Sequence, residues 1–417
     1  MSTPVTPSAT ASWRTPLVVI LAGCVISLVA FGPRSAAGLF MQPISDANGW
    51  GRDVFALAIA LQNLLWGVGQ PFAGAIADRF GMVRVLCGGA LLYALGLVLM
   101  AYSTTPLTFN ITAGVLIGFG LSGCSFNLVV AALGKLVPEH MRSTAFGAGT
   151  AAGSFGQFLF APLGAALISN YGWSFALFVF AALVLLVLPF SMALATPPAS
   201  KTAPSADADA PQSIRLALSE AFGHRSYVLL VLGFFTCGFQ LAFITAHLPA
   251  YLIDRGLSVQ VGGWVLAVIG LFNILGSLTA GWLGNRMPKR YLLAALYFAR
   301  AVSIALFITV PLSTTSALIF GISTGLTWLS TVPPTSGLVA LMFGTRWLAM
   351  LFGFAFFSHQ VGGFLGVWLG GIAYEYTGSY NLVWILSIAF GVASAIINLP
   401  IVEKPVNRPL KPAIEKA

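Results

Sequence analysis

Apolar segments of membrane-spanning length recur along almost the whole chain, separated by short polar stretches. Each of them has the roughly 20 residues that an α-helix needs to cross the hydrocarbon core of a bilayer. The twelve predicted spans are 15–42, 52–77, 83–102, 107–132, 144–169, 174–194, 226–252, 260–284, 291–310, 314–339, 347–373 and 382–401. Their apolar residues are continuous instead of alternating, which excludes a transmembrane β-barrel. The pattern predicts an all-α membrane protein with twelve transmembrane helices.

One long polar segment interrupts this pattern near the middle of the chain. The stretch "TPPASKTAPSADADAPQSIR", residues 196–215, is rich in Pro, Ala, Ser and Asp, which is typical of a linker. We therefore predict a six-helix bundle over 1–195, a linker over 196–225, a second six-helix bundle over 226–402 and a polar tail over 403–417.

The two halves contain an internal repeat, because "AGAIADRFGMVR" after the second span matches "AGWLGNRMPKR" after the eighth. The matched residues are Gly74 and Gly281, Asp78 and Asn285, Arg79 and Arg286, Gly156 and Gly363, and Gly164 and Gly371. We expect two six-helix bundles related by a parallel repeat, with a substrate path between them near the middle of the bilayer.

Composition and charge agree with a polytopic membrane protein. Hydrophobic residues make up 58% of the chain and charged residues only 7%, and the mean hydropathy is +0.91. Sixteen of the 20 Lys and Arg residues lie in segments on the same side as the N-terminus, and two lie on the other side. Since basic residues are retained in the cytoplasm during insertion, both termini, the linker and the tail are predicted to be cytoplasmic.

The net charge of +9 is thus a topology signal, and nucleic acid is not an expected partner. The four cysteines all lie in predicted spans, where we expect them to pack as small apolar residues instead of forming disulfides or a metal site. The loops are short, and the single N-glycosylation sequon begins at Asn110, at a membrane edge. A bacterial inner membrane is therefore the predicted location.

The loop after the second span resembles a known signature. "GAIADRFGMVR" is similar to G-x-x-x-D-R-x-G-x-x-R of the major facilitator superfamily of secondary transporters, with matches at Gly74, Asp78, Arg79, Gly81 and Arg84. The resemblance implies the twelve-helix fold of that superfamily. It also implies that Asp78 pairs with arginines or caps a neighbouring helix, and so latches the halves in one access state. The alternative is a solvated turn that serves only topology.

The degenerate second copy of that loop places Arg286 in the corresponding role.

A finer resemblance, to the monocarboxylate and oxalate–formate branch, rests on "GLFMQPISDANGW" (38–50), "GFQLAFITAHLPAYLIDRG" (238–256) and "STVPPTSGLVALMFG" (330–344). It implies carriage of a small organic acid with a proton or against another anion. The chain departs from the branch in span 8, where Asn273 replaces the usual basic residue. Gly114 in span 4, at the arginine position of many drug exporters, argues against drug antiport.

Two arginines, Arg34 and Arg300, lie within predicted spans. A charge at the centre of a bilayer costs about 2.5–3.5 kcal/mol on insertion scales, so each needs a partner. All eleven acidic residues fall in loops, tails or span ends, which leaves an anionic substrate as the expected partner. For Arg300 the alternative is donation to backbone carbonyls of spans 8 and 10, because span 9 lies on the outside of the bundle by resemblance. For Arg34 the alternative is snorkelling to the interface.

Six further polar or aromatic residues on expected path-lining spans complete the candidate substrate site. They are Asn127, Gln240, His247, Asn273, Trp328 and His359. Each can instead join neighbouring helices through hydrogen bonds. The two histidines are the deep groups able to take up a proton near neutral pH.

These observations predict a monomeric secondary transporter of a small monocarboxylate, by symport with a proton, in contact with the lipid bilayer. The runner-up within transport is efflux of organic anions or drugs. A membrane-embedded enzyme or a sensor is disfavoured, because the spans contain no deep carboxylate, no metal-ligand cluster and no phosphate-binding loop. We expect neither a cofactor nor a metal.

Overall fold

A computed structural model describes residues 13–196, 214–344 and 347–406, and these ranges contain twelve helices able to span a membrane. In chain order, α1 to α12 are Pro16–Asn48, Arg52–Ala77, Met82–Ala101, Pro106–Leu136, Ala145–Tyr171, Trp173–Leu194, Arg225–Asp254, Val259–Gly284, Lys289–Thr309, Thr314–Phe343, Met350–Thr377 and Asn381–Asn398. The prediction of twelve transmembrane helices is confirmed.

Local sequence explains where several helices begin and end. Thr15 caps α1 by accepting a hydrogen bond from the Val18 amide, and Pro16 occupies the first turn, where its missing N–H is not needed. Gly81 joins α2 to α3 with φ of 92°, and Gly172 joins α5 to α6 with φ of 85°. Both turns need a positive φ, which residues with a Cβ rarely adopt.

The helices form two bundles, α1–α6 and α7–α12, and three helix pairs make most of the described contacts between them. Helix α2 packs on α11, α5 packs on α8, and α1 packs on α7. The repeat relates α1 to α7, α2 to α8 and α5 to α11. The α2–α11 and α5–α8 contacts are therefore equivalent to each other, and the α1–α7 contact is equivalent to itself, as expected for related halves. Gly156 on α5 abuts Leu28 of α1, and its counterpart Gly363 on α11 abuts Ala242 of α7.

Helices α4 and α10 are interrupted at equivalent positions of the repeat. In α4 a helical segment ends at Cys124, Ser125 is extended, and Phe126–Leu136 begins a new segment. In α10 the first segment ends at Thr327 and the second is Val332–Phe343. Prolines at the start of the second segment of α10 lack an N–H, so the hydrogen-bond ladder cannot continue across the break.

Two regions extend further than the sequence suggested. Helix α1 continues to Asn48 instead of ending near residue 42, since Pro43 lies in the first turn of its last segment, Met41–Asn48, and so breaks no hydrogen bond. A short helix, Ile214–Gly223, precedes α7 within the predicted linker. The rest of the linker, 197–213, and the end of the tail, 407–417, lie outside the described residues.

Candidate functional site

A cavity of about 420 Å³ lies between the two bundles. We call the membrane side where α1 begins and α12 ends the terminal side, and the opposite side the far side. The wall extends from mid-depth, at Arg34 and Thr245, towards the terminal side, at Phe146 and Phe352. Pockets that bind ligands are commonly 300–1,000 Å³ in volume, so this space is large enough to hold one.

Arg34 is the single Lys or Arg among the described residues of the cavity wall, which include no Asp or Glu. Pro33 distorts the end of the first α1 segment, and a short 3-10 turn follows it. The guanidinium donates from Nη2 to Asn63 Oδ1 on α2, and its Cζ lies 4.8 Å from the centroid of the Trp66 ring. Its Nε is buried without a hydrogen-bond partner. The cavity therefore has a positively charged inner end.

A hydrogen-bonded chain connects Arg34 to a histidine on the other bundle. Asn63 holds Arg34 through its side chain and accepts a bond from Gln360 Nε2, of 3.1 Å, through its backbone carbonyl. Gln360 Oε1 in turn lies 3.0 Å from His359 Nδ1. His359 lines the cavity and is half-buried. A titratable ring thus stands at the end of a chain that begins at the anion-binding candidate.

Asn127 and Trp328 also line the cavity, next to the breaks in α4 and α10. Asn127 is half-buried in the first turn of the second segment of α4. The structure thus brings four of the eight predicted substrate residues to one cavity: Arg34, Asn127, Trp328 and His359.

Arg300 lies outside the cavity wall and is fully buried within the second bundle. Its Nη2 donates to the backbone carbonyls of Thr327 and Trp328, the second at 2.9 Å, and its Nη1 lies 3.2 Å from Gln240 Oε1. Those carbonyls end the first segment of α10, where the helix dipole is negative. Gln240 also donates to Ser387 O at 2.7 Å. Arg300 thus donates to backbone carbonyls of α10, as the alternative from the sequence expects. Its remaining acceptor is the side chain of Gln240 on α7 and not a carbonyl of α8.

Asn273 and His247 also lie outside the wall and are fully buried in helix packing. Asn273 donates to Ser154 Oγ at 2.8 Å and accepts from the amide of Leu329 at 3.0 Å, so it joins α8 to α5 and to the break in α10. His247 Nε2 lies 2.8 Å from the carbonyl of Val367. Gln240, His247, Asn273 and Arg300 are not carried into the substrate site proposed below, because none of them lines the cavity, although Arg300 Nε, like Arg34 Nε, has no hydrogen-bond partner among the described residues.

The far side is closed by an ion pair that sequence reasoning missed. Arg52, at the start of α2, donates to both carboxylate oxygens of Asp254, at the end of α7, with both distances 2.6 Å. Arg52 Nη1 also lies 3.0 Å from the Tyr380 hydroxyl, and its Cζ is 3.9 Å from the Tyr374 ring centroid. Burial raises the pKa of Tyr380. Its hydroxyl stays protonated and is 3.3 Å from His247 Nδ1.

We call Arg52, Asp254, Tyr374, Tyr380 and His247 the far-side latch. Arg52 belongs to the first bundle and the other four residues to the second, so the cluster holds the two bundles together. Arg52 is only 6% exposed, and a bidentate arginine–carboxylate pair is among the stronger polar contacts in proteins. The one signal in the sequence was that Arg52 begins one predicted span and Asp254 follows the end of another, on the same predicted side of the membrane.

The signature loop lies on the terminal side. Gly81 makes its turn, as described above, and Gly74 has open space around it. Arg79 and Arg84 are exposed and contact Phe80, through its ring and its carbonyl respectively. In the second copy, Arg286 stacks on Trp282 at 3.8 Å. These described contacts stay within each loop, and the side chain of Asp78 lies outside the described residues.

Comparison with known proteins agrees with this architecture. The sequence profile of the Major Facilitator Superfamily matches residues 23–367. An uncharacterized MFS-type transporter of Bacillus subtilis, YcxA, is 30% identical over 391 residues, covering 89% of this chain and 91% of that protein. Monocarboxylate transporter 13 of Rattus norvegicus is 27% identical, covering 92% and 88%. Monocarboxylate transporter 11 of Homo sapiens is 27% identical, covering 89% and 79%.

Two solved structures share the fold at low sequence identity. A D-xylose–proton symporter has a TM-score of 0.71 at 17% identity, with 94% of this chain and 98% of that chain covered. A bacterial homolog of the human lysosomal transporter Spinster, in an inward-facing and unoccupied conformation, has a TM-score of 0.73 at 16% identity, with 93% and 97% covered. Since the family profile spans most of a chain whose twelve-helix fold also matches from end to end, this chain belongs to the Major Facilitator Superfamily and is a membrane transporter.

Proposed function

We propose that this chain is a secondary active transporter of a small organic anion, namely a monocarboxylate carried with one proton by alternating access. The observation that carries the proposal is the charge of the cavity. Its described wall contains one arginine and no carboxylate, so an anionic substrate is the counter-ion that the site lacks. The monocarboxylate transporters among the relatives support the same class of substrate.

The geometry of Arg34 suits a carboxylate. Asn63 and Trp66 fix the guanidinium on one side and leave the buried Nε without an acceptor. An unsatisfied buried donor costs about 1–3 kcal/mol, and more when it is charged. A carboxylate oxygen that accepts a hydrogen bond from Nε removes this cost. The second carboxylate oxygen can accept from a terminal nitrogen of the same guanidinium, which gives a bidentate pair.

His359 is the proposed proton carrier. It is the single histidine among the described wall residues, and Gln360 and Asn63 connect it to Arg34. Uptake of one proton together with one carboxylate adds no net charge to the protein, so the membrane potential does not oppose the step. His247 belongs to the far-side latch, and we assign it a part in gating instead of in proton transfer.

The latch and the loops are the proposed gates. We place both termini in the cytoplasm of a bacterial inner membrane, as the basic residues of the terminal side indicate. In that orientation the latch closes the outside while the cavity extends towards the cytoplasm. Closure of the cytoplasmic side would bring the Asp78 loop and the Arg286 loop together as the latch separates. We keep the boundaries 1–195, 196–225, 226–402 and 403–417 and a monomeric unit.

The test is uptake into proteoliposomes of a panel of labelled carboxylates, with and without an inward proton gradient. We expect at least one monocarboxylate to accumulate, faster when the outside is acidic. Failure of every carboxylate, combined with movement of cationic dyes, would refute the proposal and favour drug efflux.

A further inference from the structure

The wall of the cavity is aromatic on both sides. Phe31, Phe126 and Phe146 come from the first bundle, and Phe352 and Phe356 come from the second. All five are half-buried although they face the interior between the bundles. Phenylalanine rings from both bundles thus line the cavity between Arg34 and its terminal-side end.

A continuous run of rings begins at the arginine. The guanidinium of Arg34 lies over Trp66, and Trp66 meets Phe356 edge to face with centroids 5.4 Å apart. The rings of Phe356 and His359 are nearly parallel, with centroids 5.9 Å apart and an interplanar angle of 7°. The His359 ring centroid lies 5.2 Å from that of Phe234. The organic substituent of a carboxylate bound to Arg34 would therefore lie beside aromatic faces and edges.

Charge and size narrow the class of ligand further. With a single cation on the described wall, a monoanion is balanced, whereas a dicarboxylate would leave one charge without a partner in an apolar space. An acid of two or three carbons would fill little of a cavity of about 420 Å³ and would bury little of the apolar wall. An aryl ring gains both apolar contact and edge-to-face geometry with the surrounding rings.

We infer that the preferred substrate class is an aryl monocarboxylate, with its carboxylate on Arg34 and its ring between the phenylalanines of the two bundles. This inference rests on the proposed function, because it assumes that Arg34 anchors a carboxylate. It assigns specificity to Phe352 and Phe356, which contact the ring of the substrate and not its charged group.

The experiment measures dissociation constants of the purified protein for three probes: phenylacetate, acetate and phenylacetamide. Phenylacetate should bind at least about tenfold more tightly than acetate, because the ring adds apolar contact. Phenylacetamide keeps the ring but has no charge, so it should bind at least about tenfold more weakly than phenylacetate. These comparisons use the parent protein and do not depend on any variant folding.

Variants then locate the ring. Phe356→Leu keeps an apolar side chain but removes the aromatic edge, so it should weaken phenylacetate about three- to tenfold and leave acetate unchanged. Phe352→Leu provides a second test if the first variant does not fold. Phe298→Leu is the matched control, since Phe298 lies on α9, is 55% exposed and is not part of the described wall. It should change neither affinity.

The outcomes separate this inference from the proposed function. Acetate binding as tightly as phenylacetate would refute the aryl class while leaving carboxylate transport intact. Phenylacetamide binding as tightly as phenylacetate would refute the anion anchor and with it both proposals. Equal loss of phenylacetate and acetate in Phe356→Leu and Phe352→Leu would also overturn the inference, because those residues would then serve packing.

Discussion

Arg34 and Arg300, the two arginines predicted within spans, should respond differently to substitution. Arg34→Lys keeps the positive charge in the cavity but replaces a planar fork with a single ammonium group, and Arg34→Ala removes both. Arg300→Ala removes a cation that is bonded to Thr327, Trp328 and Gln240 inside the second bundle. The first pair of substitutions changes the proposed binding site, and the third changes helix packing.

The expected magnitudes follow from these contacts. A charge-assisted hydrogen bond contributes about 1.5–3 kcal/mol, so loss of one of two bonds in Arg34→Lys should raise the dissociation constant about 10- to 150-fold. Arg34→Ala loses both bonds and should abolish measurable binding. Arg300→Ala leaves two backbone carbonyls and one amide oxygen without their donor. At about 1–3 kcal/mol for each buried group left unpaired, thermal stability and yield should fall clearly.

The assay is calorimetric binding of the preferred carboxylate to purified, monodisperse variants, together with their melting temperatures. Arg34→Ala leaves one buried acceptor, Asn63 Oδ1, without its donor, whereas Arg300→Ala leaves three, so the Arg34 variants should melt closer to the parent temperature. The Arg34 variants should bind weakly, and folded Arg300→Ala should melt lowest and keep the parent affinity. A folded Arg300→Ala protein that no longer binds, paired with an Arg34→Ala protein that does, would refute the assignment. Arg300 would then be the anchor of the substrate.

Three further predictions concern coupling and gating. His359→Gln should flatten the pH dependence of uptake, while substrate exchange at equal pH on both sides persists. If the variant keeps the pH profile of the parent, His359 is not the proton carrier. His247→Gln should retain the pH profile of the parent. Asp254→Asn should shift the population towards states open on the far side by about 2–5 kcal/mol, seen as longer spin-label distances across that side. The swap of Arg52→Asp with Asp254→Arg should restore closure, and failure of both effects would deny the latch a gating role. Asp78→Asn should lower turnover more than binding affinity, and equal turnover in variant and parent would leave the loop without a gating function.

The sequence alone determined the number of helices and the family, for physical reasons that act locally. A helix must have about 20 apolar residues to cross a bilayer, and this requirement is readable from each segment without its neighbours. The distortions that the structure shows at Pro33 in α1 and at Pro333–Pro334 in α10 have a local cause of the same kind, because a missing N–H interrupts the helical hydrogen bonds. The signature at Asp78 and Arg79 then identified the superfamily.

Tertiary structure decided which polar residues share the cavity. Arg34 and Arg300 are equivalent by sequence, since each is an arginine within an apolar span and neither has a carboxylate nearby in the chain. Only the packing of α9 against the break in α10 provides Arg300 with carbonyl partners, and only the placement of α1 between the bundles leaves Arg34 facing the cavity. Periodicity within one helix cannot report which face meets a particular neighbour.

The far-side latch shows the same limit most clearly. Arg52 and Asp254 are about 200 residues apart, and each alone looks like an ordinary charge at a membrane edge. Their bidentate contact depends on the angle at which the two bundles meet. That angle is set by close approaches such as Gly371 against Ala56, whose fit is a property of the assembled helices. Long-range pairing of this kind follows from three-dimensional complementarity between surfaces, which local hydrophobic patterns do not encode.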